Sequence, residues 1–303
     1  MNFPSPSSAE AVVSVSGLSR HFGTKTALED VSVFVARGSV LGLVGENGAG
    51  KTTLIKHLLG MFKAQAGTVR LFGLDPVLDP VGVLGRVGYL SERRDLPAWM
   101  RVAEFMRYTQ AFYPGWDEKY AGELLAQFQL DPAQKIKTLS QGQQAKIGLL
   151  TSLAYRPDLL ILDEPSSGLD PVVRRDILEV VIRMVAEEGR TVIFSSHLLD
   201  EVERVADHVV MLQHGRVVLN GRTESVRDDH ISAVLTFAEP PAQAPVLVGA
   251  HAVAGYGSEW RVLFGGSRLE LAAAAALIGA CVIEEHTPTL DEILVARSGG
   301  KGS

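Results

Sequence analysis

The chain has 303 residues, a length that accommodates about two domains at roughly 150 residues each. Hydrophobic residues at 46% and charged residues at 21% exclude wholesale disorder and collagen-like sequence. The single Cys281 cannot pair within the chain and is too few for a structural zinc site, which points to a reducing compartment. The formal charge of −6, from 29 basic against 35 acidic residues, argues against broad nucleic-acid binding, which needs phosphate-neutralising Lys and Arg.

Residues 1–10 carry Pro4, Pro6 and three serines with no Lys or Arg. They are expected to be a disordered tail rather than a signal peptide. Val12 to Val15 and Val31 to Val35 alternate or run apolar, as strands do. Ser39 to Val44 is a continuous apolar strand ending in glycine, and Thr52 to Met61 is a helical run. Ala103 to Tyr113 and Glu118 to Leu130 have helical spacing. In the second, Tyr120, Leu124 and Phe128 share a face, Asp117 caps the start and Asp131-Pro132 stops it. Leu159 to Leu162 and Thr191 to Phe194 are short, fully apolar runs, as in central parallel strands covered on both faces. Val172 to Glu188 and Leu198 to Ala206 are helical, so the middle of the chain reads as α/β.

A break falls near Asn220-Gly221. Beyond it, Ile231 to Phe237, Glu259 to Phe264 and Cys281 to Glu285 read as strands. Leu269 to Ala280 is an alanine-rich helix, and Thr289-Leu290-Asp291-Glu292 opens a helix to Ala296 with a capping box. The expected layout is an 11–222 domain, a small accessory α+β domain at 223–298 in which acidic residues outnumber basic ones, and a 299–303 tail. The uncharged stretch 240–258 is broken by prolines and glycines, and 271–283 is too short to span a bilayer, which takes about 20 apolar residues. Any work at a membrane is therefore expected to go through a partner.

Gly45-Glu46-Asn47-Gly48-Ala49-Gly50-Lys51-Thr52-Thr53 fits the phosphate-binding pattern G-x-x-x-x-G-K-[ST], after an apolar strand and before a helix. Its glycines let backbone amides curl around phosphates, and the helix N-terminus adds a positive dipole. Lys51 places a charge on the terminal phosphates, and the Thr52 hydroxyl can ligate Mg²⁺. Asp158 to Glu164 is an apolar strand that delivers two carboxylates at its C-terminal end, where ligands bind in open α/β sheets. Asp163 is placed to hold Mg²⁺ and Glu164 to polarise an attacking water, the division of labour that phosphoryl transfer needs. His197 closes the next strand, within reach of a γ-phosphate.

Leu139-Ser140-Gln141-Gly142-Gln143 resembles the LSGGQ signature of ABC-type ATPases and lies at the same distance before Asp163 as in that family. Ser166-Ser167-Gly168-Leu169-Asp170 resembles the family's D-loop, and His197 its switch histidine. Phe22, in Arg20-His21-Phe22-Gly23, stands where the family stacks an aromatic on adenine. Tyr89-Leu90-Ser91-Glu92 resembles the Q-loop, with Glu92 where glutamine is usual, and Gln141 replaces the first signature glycine. The resemblance spans about residues 12–221. It implies a P-loop NTPase core of RecA-like α/β class with an antiparallel β subdomain, and a helical subdomain at about 92–155.

The same resemblance implies ATP and Mg²⁺ as cofactors, with Glu164, His197 and Lys51 catalytic. Phe22, Gly45, Asn47, Gly48, Ala49, Gly50, Thr52, Thr53 and Glu92 bind nucleotide in this reading. Ser140, Gly142, Gln143 and Asp170 complete the site, and Thr52, Asp163 and Glu92 reach the metal. Each nucleotide is shared between the phosphate loop of one subunit and the signature of another, so a second ATPase subunit is implied. The implied setting is the cytoplasmic face of a membrane, on a membrane-spanning permease. Phe112 to Asp117 and Pro171 to Arg175 resemble the ATPase subunits of bacterial multi-chain exporters. An ABC-type ATPase acting on DNA or ribosomes is the competing class, but one phosphate loop, one cysteine and no room for a coiled-coil insertion disfavour it. Retention of Glu164 and His197 argues against a non-hydrolysing regulator, and no guanine-reading Asn-Lys-x-Asp occurs.

Overall fold

The computed structural model describes residues 11–299. Contacts divide it into two compact units, with the division between Asn220 and Gly221. Of the tails expected at 1–10 and 299–303, residues 1–10 and 300–303 lie outside the described residues, while Gly299 falls at the end of a helix.

The first unit opens with β1 (Ala11–Phe22) and β2 (Lys25–Ala36), an antiparallel pair turned at Gly23-Thr24. Next come β3 (Val40–Val44), α1 (Lys51–Leu58), β4 (Ala66–Leu71), α2 (Pro80–Leu84) and β5 (Val87–Leu90). A helical stretch holds α3 (Val102–Gln110), α4 (Glu118–Gln127) and α5 (Gln141–Leu153). The chain returns through β6 (Leu159–Asp163), α6 (Pro171–Glu188), β7 (Thr191–Ser196) and α7 (Leu199–Val205), and closes with β8 (His208–Gln213) and β9 (Arg216–Arg222), whose last two residues fall past the division. Sheet one is β2-β1-β4, all antiparallel. Sheet two runs β5-β6-β7-β3-β8-β9, with parallel pairing from β5 through β8. The two-residue link His214-Gly215 has φ of 49° and 78°. Two such residues in the left-handed region suit the tight turn of a hairpin.

Every residue of β3, β6 and β7 is buried. A parallel strand covered on both faces has no solvent side, so the apolar residues of these strands run on without alternation, up to the polar ends Asp163 and Ser195-Ser196. Close packing reaches the backbone at Gly42, where a β-carbon would sit 2.2 Å from Val202 Cγ1 on α7. Leu43, Leu54, Ile55, Leu159 and Ile161 share one core with the antiparallel sheet residues Val13, Val15 and Leu71.

Several helix ends differ from the sequence reading. α1 stops at Leu58 instead of Met61, because Gly60 turns left-handed at φ 69°. α4 ends at Gln127, before Asp131-Pro132, where Gln129 takes φ 54°. Its start is as read, with the Asp117 carboxylate accepting from Tyr120 N at 2.9 Å. Leu124 and Phe128 are buried and Tyr120 half-buried.

The second unit contains α8 (Thr223–Asp228), β10 (His230–Phe237), β11 (Ala250–Tyr256), β12 (Glu259–Gly265), α9 (Arg268–Leu277), β13 (Ala280–His286) and α10 (Leu290–Gly299). Its antiparallel sheet has the order β11-β12-β10-β13. Ile231, Ala233, Leu235 and Phe237 alternate inward and pack with Trp260, Phe264, Leu271 and Ala275. The capping box stands as read: Thr289 N donates to Glu292 Oε2 at 2.8 Å, and Glu292 N donates to Thr289 Oγ1 at 3.2 Å. Strand β11 was missed in the sequence. Its alanines and glycines carry little β signal, and as an edge strand it buries none of its residues.

Candidate functional site

Parallel pairing brings the ends of β3, β5, β6 and β7 to one edge of the sheet. Val44 pairs with Ser196, and Asp163 with Ser195. The phosphate loop therefore leaves the sheet beside His197, and His197 emerges beside Asp163 and Glu164. The loop winds into α1 through Gly50 at φ 114°. A β-carbon there would meet Ala27 O at 2.7 Å and Leu28 Cδ2 at 2.8 Å, so only glycine fits.

A cleft of about 360 Å³ opens over this edge. Phe22, Asn47, Gly48, Gly50, Lys51, Thr52, Thr53, Glu92 and Glu164 line it, as do Lys25, Ala27 and Glu46, which sequence reasoning missed. Nothing in the one sequence separates Lys25 from other surface lysines. Phe22 is 42% exposed and packs edge-on against Phe62 at 5.6 Å, with the Arg20 guanidinium over its ring at 4.7 Å. This leaves an aromatic surface at the cleft mouth for a flat base.

Lys51 and Glu164 are buried, with Lys51 Nζ 3.0 Å from Glu164 Oε1. Lys51 Nζ also donates to the backbone oxygens of Gly45 and Glu46, both on the loop itself. Glu164 Oε2 lies 2.7 Å from His197 Nδ1. Glu164 holds this position from a left-handed backbone at φ 49°, an uncommon conformation for a side chain of this size. Its N–H donates to Ser195 O at 3.1 Å, which ties the turn to β7.

Asp163 is 1% exposed. Burial pushes its carboxyl above the ordinary range, with Glu164 and Glu92 adding to the shift and the nearby Thr52 and Ser195 hydroxyls opposing it. Its Oδ1 is buried without a hydrogen-bond partner. A buried unpaired carboxylate oxygen is costly, and a divalent cation relieves that cost. The donors here are carboxylate and hydroxyl oxygens, which suit a hard cation such as Mg²⁺.

Gly45 and Ala49 lie in the loop backbone outside the cleft lining. Ser140, Gly142, Gln143 and Asp170 are not brought to this cleft. Ser140 caps α5 in a reciprocal box: its Oγ accepts from Gln143 N at 3.2 Å, and Gln143 Oε1 accepts from Ser140 N at 3.0 Å. Gly142 follows, and a β-carbon there would lie 2.8 Å from Val173 Cγ2. Asp170 caps the start of α6, accepting from Val172 N and Val173 N. Among the described residues no helix is long and apolar enough to cross a membrane.

Residues 28–167 match the ABC transporter family model. An uncharacterized ABC transporter ATP-binding protein of Methanocaldococcus jannaschii is 35% identical over 219 residues, covering 71% of this chain and 79% of that one. The daunorubicin/doxorubicin resistance ATP-binding protein DrrA of Streptomyces peucetius is 31% identical over 237 residues, 77% of this chain and 72% of that one. A solved structure of an ATP-binding subunit of an ABC transporter superposes with a TM-score of 0.66 at 30% identity, covering 72% of this chain and 92% of that one. Identity at this level, sustained over most of both chains, makes this chain a member of the ABC transporter family, as an ATP-binding subunit.

Proposed function

We propose that this chain hydrolyses ATP in a dimer with a second such subunit and so drives export through a separate membrane-spanning permease at the cytoplasmic face. The observation that carries the hydrolytic reading is the unbroken contact path Lys51–Glu164–His197 at the mouth of the phosphate loop. Lys51 neutralises the terminal phosphates. Glu164 orients the attacking water and takes its proton, and His197 fixes the carboxylate that does so. Phe22 receives the adenine. Thr52 and Asp163, with Glu92 nearby, would hold Mg²⁺, which when bound supplies charge neutralisation. Ser140, Gly142 and Gln143 open α5, and this N-terminus suits an anion presented by the facing subunit. Asp170, at the start of α6, belongs to the same surface.

Export rests on the resemblance of 112–117 and 171–175 to exporter subunits, and the similarity to DrrA, a resistance protein by name, agrees with it. The chain should be co-expressed with a candidate membrane-spanning permease and reconstituted in vesicles. Magnesium-dependent ATP hydrolysis that the membrane subunit stimulates supports the reading. No co-purification and no stimulation would sink the transport half, and no hydrolysis at all would sink both.

A further inference from the structure

After Glu164 the chain turns from β6 toward α6, with Gly168 at φ 71°. Two charges of opposite sign hold this turn. Arg94, two residues beyond Glu92, donates through Nη2 to Pro165 O at 2.8 Å and to Ser167 O at 2.9 Å. Glu201, on α7 and 4% exposed, accepts through Oε2 from Ser166 Oγ at 2.5 Å. The same oxygen lies 3.3 Å from Ser196 Oγ, which itself accepts from Leu198 N at 3.0 Å. Ser166 is two residues after Glu164, and Ser196 immediately precedes His197. One carboxylate oxygen therefore bridges the two turns that carry the Glu164–His197 contact.

Glu201 is expensive where it stands. Burial raises its carboxyl above the usual range against the pull of both serine hydroxyls, and Oε1 is buried without a partner. A leucine of similar size would fill the space without that cost. The hydrogen bonds of Oε2 go to the two serines and to no residue of the cleft. We infer that Glu201 is a positioning residue: it locks the turn after Glu164 to the turn before His197, so the carboxylate and the imidazole are held as one unit, while Arg94 anchors the outer side of the same turn. The inference rests on the hydrolytic role proposed above for Glu164.

The test uses the full chain with Glu201→Gln, Glu201→Leu and Arg94→Met, read by steady-state hydrolysis and by amide hydrogen exchange without nucleotide. Glu201→Leu is expected to lower kcat about tenfold to a hundredfold, since a small misplacement of reacting groups has effects of that order, with KM for ATP changed less than about twofold. Glu201→Gln keeps an acceptor oxygen and should retain kcat within about threefold. In the exchange experiment, Glu201→Leu should speed the amides of 166–169 and of 197–198 together, by about tenfold. Arg94→Met should speed only the first group. If Glu201→Leu does not fold, the Ser166→Ala/Ser196→Ala double variant carries the same expectations. Wild-type kcat in a folded Glu201→Leu protein overturns the inference, as does a rise in KM with kcat unchanged, or faster exchange in only one of the two turns. The exchange arm needs no turnover, so it decides the inference even if the hydrolytic reading fails.

Discussion

Lys51 Nζ stands 3.0 Å from Glu164 Oε1, with both side chains almost wholly buried. In the proposed mechanism, the cation that serves phosphate and the carboxylate that serves water are thus paired with each other. Nucleotide phosphates would then compete with Glu164 for Lys51 and bring negative charge toward a buried carboxylate.

Glu164→Gln should therefore bind ATP several-fold more tightly while turnover nearly vanishes. Lys51→Ala should weaken binding by at least tenfold. It should also cost about 3 kcal/mol of stability, because a buried carboxylate loses its nearest cation. Nucleotide titration and denaturant unfolding measure both. Near-normal turnover in Glu164→Gln would remove that residue from the chemistry.

The exposed start of α5 predicts an ATP-dependent dimer. Glu164→Gln protein should shift from monomer to dimer in sedimentation when ATP is added, and Ser140→Arg on that background should block the shift. Ser140→Ala loses the cap and about 1 kcal/mol, yet should still dimerise, which separates a clash from loss of helix stability. Dimerisation of Ser140→Arg as before would count against a shared nucleotide.

Glu92 lines the cleft over the phosphate loop and helps to raise the Asp163 pKa. It leads from β5 into the helical stretch, so it is placed to report on bound nucleotide. A carboxylate repels phosphate oxygens more than an amide does. Glu92→Gln should be tolerated or mildly activating. Glu92→Ala should lower the hydrolysis stimulated by the membrane partner, and wild-type behaviour in the assembled complex would end the coupling idea.

Gly42 predicts a stability effect unrelated to chemistry. Its added β-carbon would overlap Val202 Cγ1 at 2.2 Å and touch Ala206 Cβ at 3.0 Å. Gly42→Ala should destabilise by about 1–3 kcal/mol. Val202→Ala should recover part of that loss, giving a non-additive pair in urea unfolding. Additive losses would mean that α7 shifts freely on the strand.

A chain ending at Arg222 keeps β9, the edge strand of the six-stranded sheet. It should bind ATP normally and show weaker association or an altered hydrolysis rate, by calorimetry and sedimentation. A folded truncation that binds no nucleotide would place part of the site in 223–303.

The sequence alone determined the features written in neighbouring residues. Glycine spacing before Lys51 specifies a loop that curls around phosphate. Uninterrupted apolar runs at 159–162 and 191–194 specify doubly covered strands, and Thr289 with Glu292 specifies a helix start. These depend on interactions within one turn or one strand, which a short window of residues encodes. Tertiary structure decided what those windows meet. Chain order places β3 first and β7 last among the site strands, yet β7 lies between β3 and β6. Only that crossover sets His197 against Glu164 and lets Lys51 reach across to the same carboxylate. The bridge from Glu201 to Ser166 and Ser196, and the hold of Arg94 on the turn, were equally invisible in sequence. A glutamate in an amphipathic helix and an arginine in a loop look like solvated charges until packing removes the water around them, and that removal is a property of the assembled layers.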